Sequence, residues 1–123
     1  MCVPLDEMAY HVGAHNYTNF ALAHYAPYPN AYLIGIEMCH PFEAGPAIQW
    51  QGKFSSATRH NTLALCAGLC RRFDFDPIDD IMRHHDITGK ECPRWFVRNE
   101  ADYLMFKIQI KEEMIHYDTI PGC

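Results

Sequence analysis

The chain has 123 residues, of which 49% are hydrophobic and 20% are charged, and its formal net charge is −5 at pH 7. These values are typical of one globular domain, and the acidic balance argues against a general nucleic-acid surface, which needs clustered lysine and arginine. No apolar run approaches the roughly 18 residues of a membrane span, and residues 1–7 lack the basic and apolar regions of a signal peptide. Six cysteines without CxxC spacing favour a reducing compartment over a disulfide scaffold or a zinc ribbon.

The N-terminal third of the sequence is predicted to contain one strand. Residues 14–31 lack a clean period, and Pro27 and Pro29 argue against a regular helix, so this stretch is predicted to be a loop. Residues 31–39 are almost continuously apolar, which predicts a strand covered on both faces. Glu37 is the only charged residue in that segment.

A helix is predicted next, with a cap at Ser55 or Ser56 and an end near Phe73. Four residues at helical spacing form its apolar face, namely Cys66, Leu69, Cys70 and Phe73. The two cysteines are therefore interpreted as small core residues rather than as reactive thiols.

The C-terminal third leads through a short strand or extended segment at residues 81–84 into a loop at residues 83–93, and then into an apolar connector at residues 93–97. A last helix is predicted over residues 100–114, with Asn99 as its cap. The predicted buried stripe of this helix comprises Ala101, Leu104, Met105 and Ile108. We expect one domain over residues 1–115 and a tail at residues 116–123.

The loop at residues 83–93 contains the residues that are most suited to metal binding and catalysis. His84 and Cys92 stand eight positions apart across a glycine-containing turn, and imidazole and thiolate are both good zinc ligands. Lys90 would favour the thiolate and could stabilise an oxyanion. Asp86 could orient a histidine or simply close the turn.

Glu37 supports a catalytic role for this loop. Burying a carboxylate in an apolar strand costs free energy, so such a residue is expected to have a partner or a function. It could act as a general base on metal-bound water, or it could form an ordinary salt bridge. His11 could line a cleft. A substrate groove could be lined by Trp50, Trp95, Tyr25, Tyr28 and Tyr32, although such aromatic residues are more often part of a core or its rim.

Three motifs resemble a known family. Residues 83–93, RHHDITGKECP, resemble the R-H-Y-D-[VI]-T-G-K-x-C-P signature of zinc N-acetylmuramoyl-L-alanine amidases, a superfamily that includes phage endolysins, autolysins and peptidoglycan-recognition proteins. Residues 34–39, IGIEMC, resemble its I-G-I-E-[ML]-C strand. Residues 4–13, PLDEMAYHVG, resemble its P-[LI]-[DN]-E-x-A-[WY]-H-x-G segment. The motifs occur in the family's order.

The resemblance implies an α/β fold with a mixed β-sheet flanked by helices. It also implies an enzyme that cuts the amide bond between N-acetylmuramic acid and L-alanine in peptidoglycan, with Zn²⁺ as cofactor. By position, His84 and Cys92 match zinc ligands, Glu37 matches the catalytic glutamate, Lys90 matches the lysine that stabilises the transition state, and His11 matches a histidine near the substrate cleft.

The sequence departs from the family pattern at one zinc ligand. The family's first zinc ligand is a histidine on an early strand that precedes the motif at residues 4–13, so we expect an N-terminally truncated domain. His11 or His85 could fill the gap, although nothing in their spacing requires it. An incomplete sheet would expose a strand edge and favour a homo-oligomer. The alternative to a zinc amidase is a non-catalytic peptidoglycan-binding module or an inactive truncated amidase.

Overall fold

The structure is a computed structural model that describes residues 3–39 and 53–118. In these residues the regular secondary structure is helical. The elements are α1 (Asn19–Tyr25), a 3-10 turn (Pro29–Ala31), α2 (Ser56–Phe73), α3 (Pro77–Asp80), α4 (His84–Thr88), α5 (Arg94–Arg98) and α6 (Glu100–Asp118). None of the helices among the described residues is long and apolar enough to cross a membrane.

The predicted mixed β-sheet is wrong, because residues 3–39 and 53–118 contain no strand. Residues 33–39 have no regular secondary structure, and Ile34, Ile36 and Glu37 are exposed rather than covered on both faces. A strand needs a neighbouring strand to satisfy its backbone N–H and C=O groups, and the described part of the chain provides none. Residues 81–83 form no strand, but Ile81 and Arg83 have extended backbone angles, which agrees with the predicted alternative of an extended segment, and His84 begins α4.

The chain divides into two compact units. The first, called here the site unit, comprises Met1–Glu37 and Met82–Pro93, and the second, the helical unit, comprises Met38–Ile81 and Arg94–Cys123. Each unit therefore draws on two separate stretches of sequence, so its core depends on contacts that are distant along the chain.

Helix α2 follows its sequence prediction closely. The Ser55 hydroxyl accepts a hydrogen bond from the Thr58 N–H at 3.1 Å. The helix ends at Phe73, and its C-cap Asp74 has a left-handed φ of 58°. Cys66 and Cys70 are buried, which confirms their interpretation as core residues. Burial, with a smaller effect of Cys70, raises the pKa of the Cys66 thiol to about 12, so this thiol stays protonated at neutral pH.

Helix α6 buries a different face from the predicted one. Leu104, Met105 and Ile108 are exposed, and the core of the helical unit is formed largely by aromatic side chains. Its buried residues are Phe54, Cys66, Ala67, Phe96, Tyr103, Phe106 and Ile110. Both faces of α6 satisfy helical periodicity, and the aromatic face is the one that packs because the Phe106 and Tyr103 rings lie 5.1 Å and 5.6 Å from that of Phe96.

Polar contacts also hold α6 with its aromatic face towards the core. Arg59 of α2 donates two hydrogen bonds of 3.1 Å to the Asp102 carboxylate, and Asp102 also accepts a 2.7 Å hydrogen bond from the Trp95 indole. The Arg59 guanidinium lies 5.2 Å from the centroid of the Phe106 ring. The helix continues to Asp118, past the predicted domain boundary at residue 115, and residues 119–123 of the predicted tail lie outside the described residues.

The site unit packs around a small cluster of Val12, Ala21 and Ile87. The prediction of a loop over residues 14–31 is wrong for α1, which begins after Thr18 and ends at Tyr25. Pro27 therefore follows the helix instead of interrupting it. Seven residues are too few for a clear helical period, which is why the pattern went unrecognised.

The two faces of α6 can be distinguished by matched substitutions. We expect Ile110→Ala to lower the free energy of unfolding by about 2–5 kcal/mol, because Ile110 is 0% exposed and its loss leaves a cavity. Ile108→Ala on the same helix, where the side chain is 37% exposed, should cost about 0.5 kcal/mol or less. Urea denaturation followed by circular dichroism measures both, and a larger loss for Ile108→Ala would contradict the described packing.

Candidate active site

All five residues predicted to form the site lie in the site unit. His11 and Glu37 come from its N-terminal stretch, and His84, Lys90 and Cys92 come from the stretch that returns after residue 81. The intervening residues 38–81 belong to the helical unit. The fold thus gathers residues 4–13, 34–37 and 83–93, which belong to three separate sequence motifs, into one unit.

Helix α4 is held at its start by Arg83 and Asp86. The Asp86 carboxylate accepts hydrogen bonds from the Arg83 backbone N–H at 2.8 Å and from its guanidinium at 2.9 Å. Burial alone would raise the pKa of Asp86, but the hydrogen bonds from Arg83 outweigh that effect and lower it. Of the two roles considered for Asp86, closing the turn is the one that the structure shows.

The loop after α4 is closed by backbone hydrogen bonds. The His85 N–H donates to the Cys92 carbonyl at 3.0 Å, and the Cys92 N–H donates to the Lys90 carbonyl at 2.7 Å. Gly89 ends the helix with a φ of 80°, a conformation that glycine adopts at no steric cost. These contacts return Cys92, whose side chain is half-buried, to the start of the helix that carries His84.

His11 is held by three groups of the neighbouring segment. Its backbone N–H and that of Val12 both donate to the Asn30 side-chain oxygen, at 3.1 Å and 2.9 Å. Its ring Nε2 lies 2.9 Å from the Leu33 carbonyl. The ring packs on Gly35, where a Cβ would stand 2.6 Å from His11 Cγ. Only glycine fits beneath the ring, which gives the glycine of the 34–39 motif a physical role.

Three of the other predicted residues, Lys90, Glu37 and His11, influence the pKa of His84. Burial is the main cause that lowers the pKa of His84, and the Lys90 ammonium lowers it further. Glu37 acts in the opposite direction and His11 in the same direction as Lys90. Glu37 is exposed, so its predicted burial in an apolar strand is wrong, but its carboxylate is close enough for His84 to sense.

Comparison with known proteins identifies the family. A model of the N-acetylmuramoyl-L-alanine amidase family matches residues 1–95. The chain belongs to the N-acetylmuramoyl-L-alanine amidase family. The match covers both stretches of the site unit, and so includes all five predicted site residues.

Individual amidases resemble the chain over most of its length. It is 36% identical to the N-acetylmuramoyl-L-alanine amidase BlyA of Bacillus subtilis (strain 168), with 91% of this chain and 30% of that protein covered. It is 30% identical to the N-acetylmuramoyl-L-alanine amidase CwlL of Bacillus licheniformis, with 88% and 27% covered. The chain thus spans less than a third of these relatives. No solved structure matches it.

The described residues of this amidase-family chain do not complete a zinc site. No three His, Cys, Asp or Glu side chains within residues 3–39 and 53–118 are arranged to hold a metal ion. His11 uses Nε2 at the Leu33 carbonyl, and His85 has its Nδ1 3.1 Å from the Lys90 carbonyl. Each ring keeps its other nitrogen, but within the described residues neither histidine forms a three-ligand group with His84 and Cys92, and a catalytic zinc needs three protein ligands.

Sequence reasoning missed the residues that position the site. Asn30 holds the backbone of His11 and Val12 through one side-chain oxygen. Thr18 ties α1 to α4, because its N–H donates to the Ile87 carbonyl at 2.9 Å and its hydroxyl donates to the Asp86 carbonyl at 2.6 Å. Asparagine and threonine commonly bond to backbone groups, but the sequence does not say which groups they reach.

The role of Asn30 is directly testable. Asn30→Ala leaves two backbone N–H donors without their acceptor, so we expect a loss of about 1–3 kcal/mol in the free energy of unfolding. Amide hydrogen exchange at His11 and Val12 should accelerate in this variant. Asn16→Ala, a change of the same type at an exposed position of the same unit, should alter neither quantity. Unchanged exchange at both amides would refute the role of Asn30.

Proposed function

We propose that the chain is an N-acetylmuramoyl-L-alanine amidase segment that hydrolyses the amide bond between N-acetylmuramic acid and L-alanine in peptidoglycan. The single observation that carries this proposal is the family match over residues 1–95, which covers both stretches of the site unit. Relatives such as BlyA and CwlL carry the name of this activity. Peptidoglycan is accordingly the proposed substrate.

Glu37 is proposed as the general base. Its carboxylate is exposed, so water and a substrate amide can both reach it. It would take a proton from the attacking water and pass that proton to the nitrogen of L-alanine as the carbon–nitrogen bond breaks. The products are a free carboxylate on the lactyl group and a free amine on the peptide.

Lys90 is proposed to stabilise the oxyanion, and His11 to contact the substrate. The Lys90 side chain is exposed in the closed loop after α4, and a positive charge there would favour the negative charge that develops on the amide oxygen. The ring of His11 is held by Leu33 and Gly35, so it would meet a substrate without first losing conformational freedom.

His84 and Cys92 are proposed as two ligands of a zinc ion. Bound zinc would supply Lewis acidity at the amide carbonyl and a lowered pKa for its water. The two donors alone do not make a catalytic site, and the third ligand has to come from outside the described residues.

Glu37→Gln tests the catalytic assignment. This change keeps the size of the side chain but removes its basicity, so we expect the release of L-alanine-terminated peptides from purified peptidoglycan to fall by about 10²–10⁴-fold. Circular dichroism should show an unchanged fold, because Glu37 is exposed. Glu7→Gln, at another exposed position of the site unit, serves as the control. Equal activity of Glu37→Gln and wild type would exclude Glu37 as the base.

Metal analysis tests the proposed ligands. We expect the purified chain, after incubation with zinc and removal of the excess, to retain about one zinc ion per molecule. His84→Ala and Cys92→Ser should each lower that content, whereas His15→Ala, which changes an exposed histidine of the same unit, should not. A wild-type chain that retains no zinc would argue against the ligand assignment.

A catalytically silent peptidoglycan-binding module is the second candidate. The specific observation in its favour is that the described residues do not assemble three metal ligands. Such a module would bind purified peptidoglycan and release no peptide in the presence of zinc. The Glu37→Gln experiment separates the candidates, because a binding module would show no hydrolysis with or without that change.

A further inference from the structure

Four aromatic side chains of the site unit form a continuous row. The Phe20 ring centroid lies 4.5 Å from that of His24 and 6.1 Å from that of Tyr25, and the Tyr25 centroid lies 6.4 Å from that of Tyr32. This set is called here the aromatic row. Phe20 and Tyr32 are 42% and 63% exposed and His24 is exposed too, whereas Tyr25, which joins them, is partly buried against the cluster around Ile87. Contiguous exposed aromatic surface is a common sign of a binding site.

The aromatic row is attached to both stretches that carry the candidate site. The Tyr25 hydroxyl donates a 3.6 Å hydrogen bond to the sulfur of Met82, which directly precedes Arg83 and His84. At the other end, Tyr32 is followed by Leu33, whose carbonyl contacts His11. The row is thus linked to segments that carry His11 and His84.

The chemistry of the proposed substrate indicates what the row would bind. The amide bond to be cut joins a sugar to a peptide, so a saccharide must lie next to the site whenever that bond is in place. A pyranose ring has an apolar face of C–H groups bordered by hydroxyls. Aromatic rings match the apolar face, and a tyrosine hydroxyl can bond to the border.

The charge of the aromatic row indicates whether it would bind the sugar or the peptide part of the substrate. The aromatic row contains no Asp, Glu, Lys or Arg, and a neutral glycan needs none. The stem peptide carries carboxylates and would be better served by cations such as Lys90, which belongs to the loop after α4. The row thus suits the sugar side of the bond.

We propose that the aromatic row is a binding subsite for the glycan strand of peptidoglycan. The inference takes its ligand from the proposed amidase function. Each exposed ring would stack on a sugar face. Tyr32 is more exposed than Phe20 and Tyr25, so it would contribute most to glycan binding. The row would hold the strand while the amide bond meets Glu37 and Lys90.

Binding measured without hydrolysis tests the subsite. The full chain is sedimented with purified insoluble peptidoglycan, and glycan strands stripped of their peptides are added as competitor. We expect the strands to compete, and the double variant Phe20→Ala/Tyr32→Ala to bind about tenfold more weakly, because two stacking faces are lost. Tyr32→Trp should retain binding. Tyr10→Ala is the matched control, since this tyrosine is 84% exposed in the same unit and lies outside the row.

Circular dichroism verifies the fold, and Tyr32→Ala alone replaces the double variant if the latter does not fold. Unchanged affinity of the variants, failure of the stripped strands to compete, or an equal loss in Tyr10→Ala would each overturn the proposal. A wild-type dimer that the row variants dissociate, with glycan binding unchanged, would assign the row to a contact between copies instead.

The binding experiment tests the glycan subsite independently of the proposed amidase activity. Row-dependent binding of stripped strands by a chain that releases no peptide would support the glycan subsite and refute the activity. Peptide release by a chain whose row variants bind and hydrolyse peptidoglycan as well as wild type would do the reverse.

Discussion

The contact between Thr18 and α4 is the interaction on which the candidate site depends. Thr18 donates to the carbonyls of Asp86 and Ile87 and also accepts from the Ala21 N–H, so one residue caps α1 and joins it to α4. Beneath these hydrogen bonds, Ile87 is buried with Val12 and Ala21. Together with the hydrogen bond from Tyr25 to the Met82 sulfur, these contacts set the position of the stretch with His84 relative to the stretch with His11.

Backbone groups do most of the positioning around that contact. The Leu33 carbonyl holds the His11 ring, and the Cys92 and Lys90 carbonyls close the loop after α4. Side chains contribute where they reach backbone donors, as Asn30 and Asp86 do. Such contacts leave Glu37 and Lys90 exposed and available to a substrate. The aromatic row belongs to the same unit, and Tyr25 links it to Met82 next to the stretch with His84.

Local elements with a strong signal were predictable from sequence. Helix α2 begins after its serine cap and ends at Phe73 as its pattern indicates, because a long apolar period and a cap act within the same segment. The stripe on α6 was not predictable, since two faces of that helix have helical spacing and the choice depends on Phe96 and on the Arg59–Asp102 pair of distant segments. The strand at residues 31–39 failed for a related reason: an apolar run predicts burial only where a partner exists to cover it.

The sequence by itself determined the family, because three motifs keep their residue types, spacing and order, and it singled out His11, Glu37, His84, Lys90 and Cys92. Tertiary structure alone decided that these five residues lie in one unit, that Glu37 is exposed, and that Asn30 and Thr18 position the segments. The physical reason is the range of the interactions. The residue types of a motif and the cap of a helix are determined by a few neighbouring residues. Burial and long-range hydrogen bonds depend on which distant segments the chain brings together.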